Sequence, residues 1–111
     1  MELTEETRGR VILVTARGRL DGSTSQMFGA RLEKLAAVPE PRLVIDFAGV
    51  DFVSSAGLRA VFTVLKRVKA GKGRLALCAV QAPVREVLDI AGFTPMLDLH
   101  PAQAEAVAAL A

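Results

Sequence analysis

Two kinds of aromatic residue are missing from this chain: it has no Trp and no Tyr among 111 residues, and only five Phe. Stacking platforms for bases or sugars are thereby all but excluded, because the Phe sit mostly in apolar patterns. A single cysteine, Cys78, rules out an intrachain disulfide, and its place within an apolar strand pattern is that of a buried, inert thiol. The single histidine, His100, directly precedes Pro101, which suits a loop or a helix cap better than a catalytic base. One Cys and one His cannot build a zinc site without a carboxylate cluster, and the sequence offers none. The Gly-x-Ser-x-Gly elbow of a serine hydrolase is absent. Gly71-Lys72-Gly73 follows a helix pattern and precedes a strand pattern, the reverse of a phosphate loop. The expectation is a chain with no catalysis, no metal and no cofactor.

Long apolar runs are missing too. None approaches the roughly 20 residues that cross a bilayer, and the acidic, polar start Met1-Glu2-Leu3-Thr4-Glu5-Glu6 is no secretory signal. A cytoplasmic protein without membrane insertion is expected. A net charge of +2 is too small to argue for nucleic acid. Between Asp51 and Glu86 there is no acidic side chain, while Arg59, Lys66, Arg67, Lys69, Lys72, Arg74 and Arg85 all fall there. That span reads first as a solvated helix face, and second as a basic flank that steers an acidic partner or binds an anionic surface.

What remains is ordinary globular material, 51% apolar and 23% charged, long enough for one domain over residues 1–111 with one core. Val11 to Ala16 is a strand by composition, joined through Arg8-Gly9-Arg10 to a weaker strand near Leu3 to Thr7. Gly18 and Asp21-Gly22 interrupt the pattern, and Asp21, Ser23 or Thr24 can cap the next helix. That helix is expected from Gln26 to Val38, with Phe28, Leu32, Leu35 and Met27 as its stripe, stopped by Pro39-Glu40-Pro41. Arg74 to Val80 is a buried strand. Pro83 and Gly92 bracket a short helix, Met96 to Leu99 can form an edge strand, and Pro101 opens a last alanine-rich helix. Strands alternating with helices at this spacing predict an α/β domain with a mixed, mostly parallel sheet of four to five strands and about four helices.

The most informative stretch lies in the middle. Leu43-Val44-Ile45 reads as a buried strand ending at Asp46-Phe47, succeeded by a turn at Ala48-Gly49 and two serines. Leu58, Val61, Phe62, Leu65 and Val68 then recur with helical period. Ser54 and Ser55 therefore stand at or just before a helix start, where a hydroxyl can accept a bond from a free N–H. A cap needs only one hydroxyl. Ala56-Gly57 is a poor helix opening, and such small residues let another molecule approach the backbone closely. A helix N-terminus also favours a phosphate.

The run Val50-Asp51-Phe52-Val53-Ser54-Ser55-Ala56-Gly57-Leu58-Arg59 resembles the signature of STAS domains, specifically the bacterial anti-sigma factor antagonists. Their motif is an apolar pair, then Asp-Ser-Ser/Thr-Gly-Leu, then a helix. Gly18-Arg19-Leu20-Asp21, Leu75 to Val80 and Val84 to Phe93 fit the same family, so the resemblance covers nearly the whole chain. It implies the STAS fold, with helices on one side and a sheet face partly open. In that family the first serine after the Asp is phosphorylated by a partner anti-sigma kinase. Anchoring on Gly57-Leu58 makes Ser55 the implied phosphoacceptor, with Ser54 where the Asp usually stands and Ala56 at the second hydroxyl.

The resemblance also implies that Gly18 to Thr24, with Asp21 and Thr24, lies beside that serine as partner-binding surface together with Ser54, Ala56, Gly57, Leu58 and Arg59. Asp46, at a strand end, is assigned to the site's geometry, whereas Asp51 reads as a solvated turn residue. The implied partners are an anti-sigma factor serine kinase, which brings ATP and Mg²⁺, and a metal-dependent serine phosphatase. The alternative is an unphosphorylated STAS scaffold, a subunit of a phospholipid-transport or stress-signalling complex; the absent Asp before Ser55 speaks for it.

Overall fold

The strands lie side by side in the order in which the chain makes them. The computed structural model describes residues 1–111. β1 (Glu2–Arg8) and β2 (Val11–Leu20) form an antiparallel hairpin, followed by α1 (Ser25–Leu35), β3 (Arg42–Val53), α2 (Ser55–Ala70) and β4 (Arg74–Cys78). The chain ends with α3 (Ala82–Ile90), a 3-10 turn at Thr94–Met96, β5 (Asp98–His100) and α4 (Gln103–Leu110). One five-stranded sheet results, ordered β1-β2-β3-β4-β5 and parallel from β2 onward. This is the mixed, mostly parallel architecture that the alternation of patterns predicts.

That order dictates where the helices go. Each crossover steps in the same direction across the sheet, and right-handed connections then place α1, α2 and α3 on one face. Leu43, Ile45 and Phe47 of β3 meet Phe28 and Leu32 of α1, Val61, Val64, Leu65 and Val68 of α2, and Val84 and Leu88 of α3 in one buried cluster. Val44, pointing the other way, joins Val11, Leu13, Ala76 and Cys78 in a second cluster with Ala106 and Leu110 of α4.

The expectation of helices on one side is therefore corrected: α4 lies on the other face, packed on β2, β3 and β4, and that face stays open in part along the exposed β1. α4 comes after the last strand, is no crossover, and so is free to take the far side. Polar contacts hold both its ends. Gln103 Nε2 donates to Asp46 Oδ2 at 2.5 Å, while Arg42 and Arg74 donate to the carbonyls of Leu110 (2.6 Å) and Ala109 (2.7 Å).

Two strands run further than expected. β2 does not stop at Ala16, and β3 continues through the expected Ala48-Gly49 turn to Val53. The pairing shifts register between Thr15↔Asp46 and Arg17↔Gly49, shifts again between Gly18↔Val50 and Arg19↔Phe52, and ends at Leu20↔Val53. The glycines that look like breakers serve the bulge. A Cβ on Gly49 would stand 2.8 Å from Arg17 Cγ. α1 ends at Leu35 rather than Val38, and Val38 itself, directly before Pro39, is kept out of helical geometry. On α2, Val64 joins Val61, Leu65 and Val68 in the core, while Leu58 and Phe62 are only half-buried; Phe62 stacks on Phe93 at 5.4 Å.

Candidate functional site

A single residue, Ser54, separates the end of β3 from the start of α2. Its backbone is extended, with φ −89° and ψ 177°, and its N–H donates to the Leu20 carbonyl at 2.9 Å, prolonging the contact with β2. Its hydroxyl accepts the Gly57 N–H at 3.2 Å, so Ser54 is the N-cap. Ser55 is the first helical residue and is exposed. The two hydroxyls thus divide the work: one closes the helix, and the other is left outward. With no acidic residue in this first turn, the positive end of the helix dipole is uncompensated by side chains.

Behind this pair, Gly57 is buried. A Cβ there would stand 2.5 Å from the Leu20 carbonyl oxygen, 2.9 Å from Leu20 Cγ and 3.0 Å from Val53 Cγ1. The expectation that small residues admit another molecule is corrected at Gly57, where the close neighbour is this chain's own β2. Leu58 packs against the core from a half-buried position. Ala56 and Arg59 line an open groove of about 440 Å³ between α1 and α2, with Ser25, Gln26, Gly29 and Ala60 among its other walls.

Asp21 and Thr24 build the loop between β2 and α1. Asp21 Oδ1 accepts the Ser23 N–H (2.9 Å) and the Ser23 hydroxyl (2.7 Å). Thr24 occupies the N-cap position of α1 without capping it. Its hydroxyl donates instead to the Arg19 carbonyl at 2.7 Å and accepts the Asp21 N–H at 2.9 Å. The Ser23 hydroxyl first, then the Ser23 N–H, holds the Asp21 carboxyl below its ordinary range. Arg19 lies 3.7 Å from that carboxylate and 4.1 Å over the ring of Phe52. Sequence reasoning missed Arg19 and Phe52 as a surface pair. Their signal was present in the β3 pattern, where Phe52 falls outside the buried Val50 and Val53.

Asp46 does not join this group. Far from ending its strand, it sits within β3, only 6% exposed, on the face covered by α4, where it accepts the Ala48 N–H at 2.8 Å and the Gln103 amide. Asp51 is exposed but belongs to β3, not to a turn. Cys78, on the same face as Asp46, is fully buried, and burial, then the charges of Asp46 and Glu105, push its thiol up to about 11. His100 lies in β5 rather than in a loop or cap, with Nε2 2.8 Å from Asp98 Oδ1 but out of line for a hydrogen bond. The seven basic residues of the acid-free span are all exposed. No helix is long and apolar enough to cross a membrane.

A strand-to-helix joint that caps itself with one serine and displays the next, on a sheet wound in one direction, places the domain in a known class. The chain belongs to the STAS domain family, whose model matches residues 2–106. Over 109 residues it is 31% identical to a protein of Bordetella bronchiseptica named as an anti-sigma factor antagonist, BtrV, covering 98% of this chain and 94% of that one. It is 26% identical over 107 residues to the anti-sigma F factor antagonist of Paenibacillus polymyxa, covering 96% and 91%. Among solved structures, an anti-sigma-factor antagonist (STAS) domain protein from Planctomyces limnophilus superposes with a TM-score of 0.89 at 20% identity, covering 97% of each chain. The unphosphorylated anti-sigma factor antagonist SpoIIAA superposes with a TM-score of 0.78 at 22% identity, covering 96% of this chain and 93% of that one. These superpositions establish the shared fold.

Proposed function

We propose that this chain is an anti-sigma factor antagonist of the cytoplasm, switched by phosphorylation of Ser55. The observation that carries this reading is the exposed hydroxyl at the first position of α2, left outside the cap bond that Ser54 makes. The names borne by its relatives support the class of partner. Unmodified, the surface of Ser55, Ala56 and Arg59 with the Asp21–Thr24 loop docks on an anti-sigma factor serine kinase and so frees the sigma factor.

The kinase supplies ATP and Mg²⁺. Ser55 Oγ bonds to the γ-phosphorus as the bond to the β–γ bridging oxygen breaks; ADP leaves, and the hydroxyl proton passes to a base of the kinase. The product carries about −1.5 to −2 charges at pH 7. At a helix N-terminus that charge is well placed, so the fold persists while the docking surface turns bulky and anionic. A metal-dependent serine phosphatase resets the switch by transferring the phosphoryl group to water.

Mass spectrometry after incubation with the cognate kinase and ATP tests this. One phosphate on Ser55, lost in Ser55→Ala, is the expected result; modification elsewhere, or none, overturns it. A scaffold role without phosphorylation, in a phospholipid-transport or stress-signalling complex, is the second reading. What favours it is Ser54 acting as a cap at the position where the family motif carries Asp. A pull-down separates the two: a histidine-kinase-like ATPase supports the switch, and a membrane-transporter ATPase supports the scaffold.

A further inference from the structure

We infer that Arg59 is the counter-cation for a phosphate carried on Ser55, which rests on the reading of Ser55 as the phosphoacceptor. The two residues are i and i+4 on α2, so they share one side of the helix one turn apart, with about 5–6 Å between Cβ atoms. Side chains on a helix lean toward its N-terminus, so from its place on the wall of the α1–α2 groove the Arg59 guanidinium is within reach of the first turn. Arg59 is exposed and takes part in none of the ion pairs of the structure. The next cation along α2, Lys66, stands about 16 Å further down the axis from Ser55 at about 1.5 Å per residue.

The other charges on the elements around this turn do not compete for the role. Arg19, at the end of β2, is engaged by Asp21 at 3.7 Å and by the Phe52 ring at 4.1 Å. Asp21 itself, Asp51 on β3 and Glu33 on α1, across the groove, are all carboxylates. Along α2 itself, Arg59 is then the one positive side chain within two turns of Ser55. Its planar fork can donate two parallel N–H bonds to a phosphate, which a lysine cannot.

The pairing has a consequence for the switch. Arg59 is a wall of the α1–α2 groove, so drawing it onto the phosphate removes a cation from the docking surface at the same moment that an anion is added. Charge and shape of the groove mouth change together, with no movement of the backbone.

The test uses the full chain with phosphoserine installed at position 55 during translation, so that no kinase is needed. A ³¹P NMR titration then gives the second ionisation of the phosphoserine. With Arg59 present it should lie about 0.5 pH unit below its value in Arg59→Ala, a roughly threefold difference in proton affinity. Arg59→Lys should recover part of the difference, and the Arg59 side-chain N–H signal should move over the same pH range as the phosphorus. Equal titrations in the parent and Arg59→Ala proteins, both folded by circular dichroism, overturn the assignment. Failure of the kinase to modify Ser55 would overturn the switch and leave this titration standing on its own result.

Discussion

Gly57 of α2 and Leu20 of β2 meet with no room for a methyl group: a Cβ on Gly57 would sit 2.5 Å from the Leu20 carbonyl oxygen, which already accepts the Ser54 N–H at 2.9 Å. The contact fixes how α2 leaves the sheet, and with it the direction in which Ser55 points. Alanine should favour the helix by up to about 1 kcal/mol, but here that gain is outweighed. Gly57→Ala is expected to lower stability by about 1–3 kcal/mol, the usual cost of overpacking, read as a lower urea midpoint at unchanged slope.

The neighbouring cap can be exchanged more gently. Ser54→Ala, which leaves the Gly57 N–H without its partner, should cost about 1 kcal/mol in the same unfolding experiment. Ser54→Asp should stay within about 0.5 kcal/mol of the parent, because aspartate caps equally well and its charge suits the helix dipole. A large loss in Ser54→Asp would show that the hydroxyl is needed for more than capping.

α4 is held chiefly at its ends. It is eight residues long and buries only Ala106 and Leu110 fully, while a helix of this length is unstable in isolation. Removing the cationic donors in Arg42→Ala or Arg74→Ala should each cost about 1–2 kcal/mol, more at Arg42, which is the less exposed. Amide hydrogen exchange should accelerate in α4 before it does in α1 or α2; uniform acceleration would mean that α4 is no separate unit.

The Cys78 thiol gives a pH signature. Its folded value of about 11 lies above the ordinary value of 9.0, so the folded state keeps its proton to higher pH than the unfolded chain does. Unfolding then releases a proton, and stability falls as pH rises from about 9 to about 11, with no contribution below that window. Cys78→Ser or Cys78→Ala should flatten this part of the profile. Thiol reagents should react with the native protein at about pH 8 only as fast as it opens.

Local chemistry made much of this molecule legible in advance. Pro83 in the first turn of α3, Gly9 in the hairpin turn and the paired serines at the start of α2 each act within a few residues of themselves, and the elements they mark are where the patterns put them. Asp46 and the ends of β2 and β3 were misread for a common reason. Gly18, Ala48 and Gly49 look like turn chemistry, yet their role is set by a register shift between two strands whose pairing no local pattern encodes. The partner of Asp46 was equally out of reach. Gln103 arrives from the far end of the chain, on a helix whose alanine-rich sequence does not announce which face it will cover. At the candidate site, the cap and the displayed serine were readable, whereas the stacking of Arg19 on Phe52 depends on the two strands running on past their expected ends.

The strand order carries a kinetic consequence. Every pairing in the sheet joins strands that are neighbours along the chain, and the two central closures, Ile12 to Leu43 and Asp46 to Cys78, span nearly equal separations of 31 and 32 residues. Loop-closure entropy grows only logarithmically with length, so neither closure is penalised relative to the other. The sheet can grow outward from β2 and β3 one strand at a time, with nothing to thread, and the main refolding phase should be rapid for a protein with a parallel sheet.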